Sequence, residues 1–293
     1  DVYTSKTTDL LMAQSIPTLT GYARTYANVG KTKNFGYDLT FNFVPVRTKD
    51  FEWNIGVNAA YSRNEIVSLA NGKEDDPANG WFIGESTNSI YTYESAGLWK
   101  EEDRADMEKF NANGHDFQIG MARPVDQNGD YKIDANNDRT IVGHYDPRWT
   151  LGLNTNFTYK GWDLGIQLYG RMGFKYYDSS VWVGGRYNVR DYDYYNENNK
   201  NAAHPKPIYD EGGKDAYYNE TYLKNGSYLK IRNISLGYTF PNRLLTHTGL
   251  SALRMYAQIK NPGYIFSGCK TLDLDTYSNT YNSGFTFGLN LSF

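Results

Sequence analysis

Between Trp149 and Met172, apolar and polar positions alternate with a period of two, interrupted once. Trp149, Leu151, Leu153, Thr155, Phe157 and Tyr159 share one parity, and Thr150, Gly152, Asn154, Asn156 and Thr158 the other. After Lys160-Gly161 the alternation resumes, with Trp162, Leu164, Ile166, Leu168 and Met172 set against Asp163, Gln167 and Arg171. Successive side chains of a strand point to opposite faces, so the pattern predicts two strands that are each apolar on one side. A two-residue turn at Lys160-Gly161 predicts a hairpin that pairs Tyr159 with Trp162, Phe157 with Leu164 and Leu153 with Leu168, and this puts both apolar faces on the same side. Each arm has about the length that crosses a bilayer when tilted.

The same alternation recurs in Phe35, Tyr37, Leu39, Phe41 and Phe43, then in Trp53, Ile55, Val57, Ala59 and Tyr61, with a polar turn at Arg47 to Asp50 between them. It returns in Leu253, Met255, Ala257 and Ile259, and in Phe285, Phe287, Leu289, Leu291 and Phe293. From Tyr228 to Phe240 the parity changes: Leu229 and Ile231 are on one, Ile234, Leu236, Tyr238 and Phe240 on the other. One extra residue near Arg232 accounts for the change, which predicts a β-bulge there. The fold class expected is all-β, a transmembrane antiparallel β-barrel. A soluble sandwich would show similar alternation, but it would bring its large aromatics to the centre of the core. Here Trp53, Tyr61, Trp149, Tyr159, Trp162 and Phe293 sit where strands meet turns or termini, as rings at the two rims of a membrane band do.

Barrels of this type have short turns on the periplasmic side and long loops outside. With Phe293 in the periplasm, counting strands backwards places Lys160-Gly161 and the stretch 241–252 on that side. Long extracellular loops are then expected at about 63–148, 174–225 and 262–283, within a single barrel domain over 1–293. Inside the first loop, 90–99 and 117–123 read either as a further strand pair or as parts of one folded loop, and 101–110 as a short helix.

Composition supports this picture. Aromatics are 16% of the 293 residues, with 27 Tyr against 14 Phe and 6 Trp, which suits many boundaries between water and an apolar phase. No run of about 20 consecutive apolar residues, which a helical span needs, occurs in the chain, and the mean hydropathy of -0.67 does not exclude strands in which only alternate positions are apolar. One cysteine, Cys269, rules out a disulfide framework within the chain and a thiolate metal cluster, and is expected as a small packed side chain. A net charge of -3 from mixed signs gives no basic stripe for nucleic acid. The opening Asp1-Val2-Tyr3-Thr4 carries neither an initiating Met nor a leader, and reads as the start of a fragment.

Several segments, in order, resemble the SusC/RagA group of TonB-dependent outer-membrane transporters. They are Lys6 to Leu11, Asn28-Val29-Gly30 followed by Asn34 to Leu39, Tyr91 to Trp99, and Asp126 to Asp138. Two more are Tyr159-Lys160-Gly161-Trp162-Asp163-Leu164 and Tyr228 to Tyr238. The resemblance implies that the chain is the C-terminal portion of a large plugged barrel of about 22 strands, holding eight to ten of them. The plug and the TonB-contacting box have no counterpart here. It further implies nutrient import, a SusD-like surface lipoprotein as partner, coupling to the TonB complex through a part outside this chain, and outer-membrane lipid around the barrel. It also casts Phe285, Phe287, Leu289, Leu291 and Phe293 as a signal for membrane assembly.

Two constellations carry candidate chemistry. Asp126, Asn128, Asp130, Lys132 (through its carbonyl), Asp134 and Asp138 follow the spacing of a calcium loop, so calcium is a possible cofactor. Tyr131 stands where the usual glycine belongs, and Asn137 replaces the bidentate Glu; the alternative is a loop whose carboxylates cap backbone N–H groups. The loop 174–225 is rich in tyrosine, and Trp182, Tyr187, Tyr192, Tyr194 and Tyr195 are candidates for stacking on sugar rings or on a partner. The four histidines, His115, His144, His204 and His247, lack metal spacing, and nothing resembles a nucleophile elbow or a phosphate loop, so no enzyme is expected. The function expected is import of a large nutrient, an oligosaccharide first and a peptide second. A passive porin or adhesion barrel, or a soluble carbohydrate-binding protein, are the other classes.

Overall fold

A computed structural model describes the chain apart from residues 17–18, 20, 23, 71, 179–191, 208–214, 248, 270–271 and 277–280, and apart from the side chains of 12–15, 24 and 29. Three strands open the chain: β1 (Val2–Ser15), β2 (Arg24–Arg47) and β3 (Phe51–Ser68). A folded connection follows with β4 (Ser89–Tyr93), β5 (Ser95–Leu98), α1 (Arg104–Ala112), β6 (Ala122–Pro124) and β7 (Arg139–His144). Next come β8 (Trp149–Tyr159), β9 (Trp162–Met172), the short β10 (Lys175–Tyr177) and β11 (Leu223–Asn225), then β12 (Tyr228–Thr239), β13 (Ala252–Ser267) and β14 (Gly284–Ser292). Eight of these make one antiparallel sheet in the order β1-β2-β3-β8-β9-β12-β13-β14, a strand-to-next-strand meander of the kind that builds a barrel wall. No described helix is long and apolar enough to cross a membrane.

The register is the one the alternation predicts. Tyr159 pairs with Trp162, Phe157 with Leu164 and Leu153 with Leu168. Lys160 (φ 47°) and Gly161 (φ 89°) both take the left-handed conformation that lets a two-residue turn follow the strand twist. A Cβ on Gly161 would come within 2.7 Å of the Thr239 carbonyl, so the neighbouring strand also demands glycine there. In β12 the ladder to both neighbours slips between Ile231 and Asn233, the bulge that the parity change requires.

Because residues opposite one another share a face, the pairings collect all apolar parities on one side. One row runs Phe43, Ile55, Thr155, Ile166, Ile234, Ile259 and Phe285 across seven strands. This face stays open: Phe41, Phe285 and Phe287 are 59%, 72% and 82% exposed. Aromatics bound it at both ends. Tyr37, Tyr61 and Trp149 cluster with ring centroids 5.1 to 5.6 Å apart, while Phe51, Tyr159, Trp162 and Tyr238 share a row at the other end. Trp53 stacks on Phe157 at 5.4 Å, and its ring N–H donates to Thr155 Oγ1 at 2.8 Å, satisfying its one polar atom within the band. From Trp53 to Tyr61, at ~3.4 Å per residue, the strand covers ~27 Å, which after tilt fits an apolar band of roughly 25 Å or less.

The connections alternate in length. Short turns join β2 to β3 and β8 to β9, and the link 240–251 joins β12 to β13, all at one end of the sheet. The long connections leave from the other end. Strands β3 and β13 continue to Ser68 and Ser267, so two of the long connections begin later than the expected 63 and 262. Residues such as Arg63, Asn64 and Gly263 extend the ladder without apolar alternation, because backbone pairing carries it there. The strands inside 69–148 add nothing to the main sheet: β4 pairs with β7, and β5 with β6. They belong to one folded loop body around Trp99, Met107, Phe110, Phe117, Met121 and Ile133. The expected helix forms there, as a 3-10 turn Glu101–Asp103 leading into α1.

Candidate functional site

The face opposite the apolar rows is built from short polar side chains. One row reads Asn42, Gly56, Asn154, Gln167, Asn233 and Lys260, and the next Asn54, Asn156, Gly165, Ser235, Gln258 and Thr286. Its polar side chains bond to one another: the Gln258 amide Nε2 donates to Asn233 Oδ1 at 2.6 Å, and the Thr40 hydroxyl to Asn58 Oδ1 at 3.0 Å. The glycines let these side chains lie flat. A Cβ on Gly165 would meet Asn156 Oδ1 and Ser235 Oγ at 2.9 Å each, so the space above that glycine is already occupied by its neighbours' oxygens. The result is a shallow wall of donors and acceptors suited to water and to hydroxyl-rich or amide-bearing solutes.

Toward the long-connection end, part of the β13–β14 connection lies on this wall. Lys230, 1% exposed, places its Nζ 2.7 Å from Asp275 Oδ2 and 3.7 Å from Asp273 Oδ1. Arg232, on the bulge, reaches Asp275 Oδ2 at 3.1 Å and covers the Tyr169 ring at 3.8 Å. Tyr228 donates its hydroxyl to Asp275 (3.2 Å) and Tyr264 to Asp273 (2.5 Å). Burial works against charge on Asp275, but the bonds from Lys230 and Arg232 outweigh it and hold the carboxyl below the usual carboxylate range. Leu272 and Leu274 pack under the connection with Cys269, Phe174, Tyr176 and Tyr228, so the expectation of a packed cysteine holds. None of Lys230, Asp273 and Asp275 stood out as a site in the sequence. The available signal was the alternation Leu272-Asp273-Leu274-Asp275 within an otherwise polar loop.

Trp182 and Tyr187 lie outside the described residues. Tyr192, Tyr194 and Tyr195 are brought near the loop body, and they differ in accessibility. The Tyr192 ring lies 5.4 Å from that of Tyr194 and 5.8 Å from His204, and His204 stacks on Tyr222 at 5.0 Å. Tyr195 closes over Gly120, whose φ of 86° has no room for a side chain. Tyr194 is left 39% exposed and is the one of the three with an open ring. Burial, reinforced by Lys224, pushes His204 down to about 4, so it is neutral at pH 7. Beneath the same region burial raises Asp215, which accepts from the Ala122 N–H at 2.9 Å, and Glu220, which accepts from Thr92.

The 126–138 loop uses its carboxylates on its own backbone. Asp126 accepts from the N–H groups of Gly129 (2.7 Å) and Tyr131 (2.8 Å), and Asp130 from that of Lys132 (2.8 Å) and the Asn128 amide (3.0 Å). Asp134 accepts from Asn136 and Asn137, while the buried Asp138 ties Gln127 N to Asp134 N at 2.9 and 2.7 Å. Among the described residues, no group of three or more His, Cys, Asp or Glu side chains is arranged to hold a metal. These bonds are the backbone capping that the sequence offers as the alternative to an ion site. Tyr131, at φ 59° in place of the usual glycine, hands its N–H to Asp126 instead of freeing that carboxylate.

The column Phe285, Phe287, Leu289, Leu291 is exposed on the apolar face, and Phe293 beyond it is 90% exposed.

No family model matches the chain. It is 28% identical over 316 residues to the TonB-dependent receptor SusC of Bacteroides thetaiotaomicron, covering all of this chain and 29% of that protein. Against the TonB-dependent receptor P3 of Formosa agariphila the identity is 27% over 325 residues, covering all of this chain and 32% of the relative. The solved RagAB peptide transporter matches with a TM-score of 0.71 at 25% identity, over the whole chain and 33% of that structure. Its relatives are the SusC/RagA-type TonB-dependent receptors.

The chain spans about a third of the length of these relatives. Its eight-stranded sheet is a stretch of transmembrane barrel wall like that of its SusC/RagA-type relatives, with the apolar rows on the lipid side and the amide rows on the inside. The relatives are receptors and transporters, not enzymes.

Proposed function

We propose that this chain forms part of the wall of an outer-membrane importer that takes up a large nutrient, an oligosaccharide, driven through the TonB complex. A SusD-like surface lipoprotein is its partner at the long-connection end, which is then the extracellular end. The observation that carries the reading is the amide wall: rows of Asn, Gln, Ser and Thr at middle height, flattened by Gly56 and Gly165, opposite a predominantly apolar face. Uncharged donors and acceptors at this density match sugar hydroxyls along their whole length. The exposed ring of Tyr194 supplies a stacking surface near the entrance, and the apolar column ending at Phe293 serves as the assembly signal. A second reading, peptide import, is favoured by the likeness to RagAB, described as a peptide transporter.

Titrating the full-length protein with neutral oligosaccharides and with mixed peptides, in detergent and with its lipoprotein partner, separates the two. Saccharide binding weakened several-fold by Asn154→Leu together with Gln167→Leu is expected. Binding of peptides alone would overturn the oligosaccharide reading in favour of the second.

A further inference from the structure

We propose that residues 272–276 form a strap latched onto the inner wall by Lys230, and that unlatching it uncovers the upper part of the solute path. The inference deepens the importer reading and rests on it for the word path, while the latch itself stands on geometry. Lys230 belongs to the row Gly152, Tyr169, Lys230 and Tyr264, on the same face as the amides, and without the strap its charge would face the lumen. It is instead buried, with two carboxylates from the strap within 3.7 Å. A buried lysine requires a partner of opposite charge, and here a segment far away in the chain supplies both.

Every other polar handle on the strap is also tied to the wall or to itself. Tyr228 and Tyr264 donate to its two carboxylates, Arg232 adds a second cation on Asp275, and Asp273 accepts from the N–H of Asp275 and the hydroxyl of Thr276 (3.1 Å each). The apolar part of the contact is Leu272 and Leu274, buried in one cluster with Tyr228, Phe174, Tyr176 and Cys269. Lifting the strap breaks the ionic and hydroxyl contacts together with this packing, so removal of one polar partner raises how often it lifts. Asp275 stays ionised well into the acid range, so the latch is closed at neutral pH and opens by loss of a partner or by competition for Lys230 and Arg232.

The strap carries its own reporter. Cys269 is buried at its base, with Sγ accepting from the Leu272 N–H at 3.1 Å, so lifting the strap exposes the thiol. The experiment measures the alkylation rate of Cys269 by N-ethylmaleimide in the full-length protein in outer-membrane vesicles, read by mass spectrometry of the peptide that contains it. Asp275→Asn is expected to raise the rate roughly tenfold or more, and Tyr264→Phe, which removes one donor without stranding a charge, to raise it less. Arg47→Ala, at the opposite end of the sheet, leaves the rate unchanged. Heat-modifiable mobility on gels confirms that each variant is a folded barrel. If Asp275→Asn does not assemble, Lys230→Arg keeps the charge, and a wild-type rate there together with a raised rate in Tyr264→Phe supports the latch. Rates at the wild-type value in folded Asp275→Asn, or in Tyr264→Phe where Asp275→Asn does not assemble, overturn it. No solute is needed for this measurement, so absence of oligosaccharide binding would sink the proposed function and leave the latch standing.

Discussion

Arg254 forks onto Asp163 across an intervening strand, its Nε 2.9 Å from Oδ1 and its Nη2 2.5 Å from Oδ2. The strand between them is β12, and the residue beneath the bridge is Gly237, which pairs directly with Asp163. A Cβ on Gly237 would lie against the Arg254 guanidinium and 2.5 Å from Asp163 Oδ1. This glycine is a requirement of the ion pair, not of the backbone, since its φ is not positive. Gly237→Val is expected to break the fork and cost about 1–3 kcal/mol by overpacking. Arg254→Lys, although it keeps the charge, recovers little because only a guanidinium spans both oxygens. Urea midpoints of the folded barrel in detergent check both; unchanged midpoints for Gly237→Val would show that the bridge relocates freely.

The two faces of the sheet make opposite demands. Leu164 pairs with Phe157 and Leu236 in the apolar rows, and Leu289 with Met255, whereas Gln167 pairs with Asn154 on the inner wall. Leu164→Arg or Leu289→Arg places a cation against lipid, where it costs roughly 2–4 kcal/mol near the midplane. Gln167→Arg is expected to assemble at wild-type level. Folded fractions recovered from outer membranes provide the comparison, and equal losses at Leu164 and Gln167 would remove the assignment of faces.

How much was legible follows from how local each signal is. The Lys160-Gly161 hairpin, its register and the Arg232 bulge were readable because period-two alternation and one parity change determine them without reference to the rest of the chain. Strand ends were less so: Asn64 and Gly263 continue their ladders through backbone bonds that no side-chain pattern announces. Strand β7 was missed because Arg139 to His144 alternates weakly and finds its partner, β4, nearly fifty residues back. The strap was invisible for a related reason, since Lys230 and Asp275 are meaningful only once they meet.

The acidic loop is where spacing alone leaves two readings open, an ion site and a capped turn. Asp126 and Asp138 satisfy N–H groups at Gly129, Tyr131, Gln127 and Asp134, as capping side chains do. Asp138→Ala is expected to cost about 1–2 kcal/mol of loop stability, since it leaves two part-buried donors without their acceptor. Calcium at millimolar concentration should shift neither the melting temperature nor the protease sensitivity of the loop. A calcium-dependent rise, abolished by Asp126→Asn, would restore the ion site that the spacing predicts.

The last expectation concerns pH and His204. The ring is stacked on Tyr222 and edge-on to Tyr192, and its Nδ1 has no hydrogen-bond partner among the described residues. Burial, then Lys224, lowers it from 6.5 to about 4, and Asp178 and Asp193 only partly compensate. The unfolded loop takes up its proton first, so the neutral ring contributes stability that is complete above about 6.5 and is lost as pH falls toward about 4. Discounted for solvent screening, the loss is on the order of 2 kcal/mol, enough to loosen the packing around Tyr192 and Tyr222 without unfolding the barrel. Hydrogen exchange of the segment 192–204 should accelerate between pH 7 and pH 5 beyond the change in intrinsic rate. The His204→Phe variant, which keeps the stack and cannot be protonated, should remove that excess. An excess that persists in His204→Phe would overturn His204 as the titrating group; Asp215 and Glu220, raised by burial, would act in the opposite sense, because a carboxyl that holds its proton more tightly when folded stabilises the loop as pH falls.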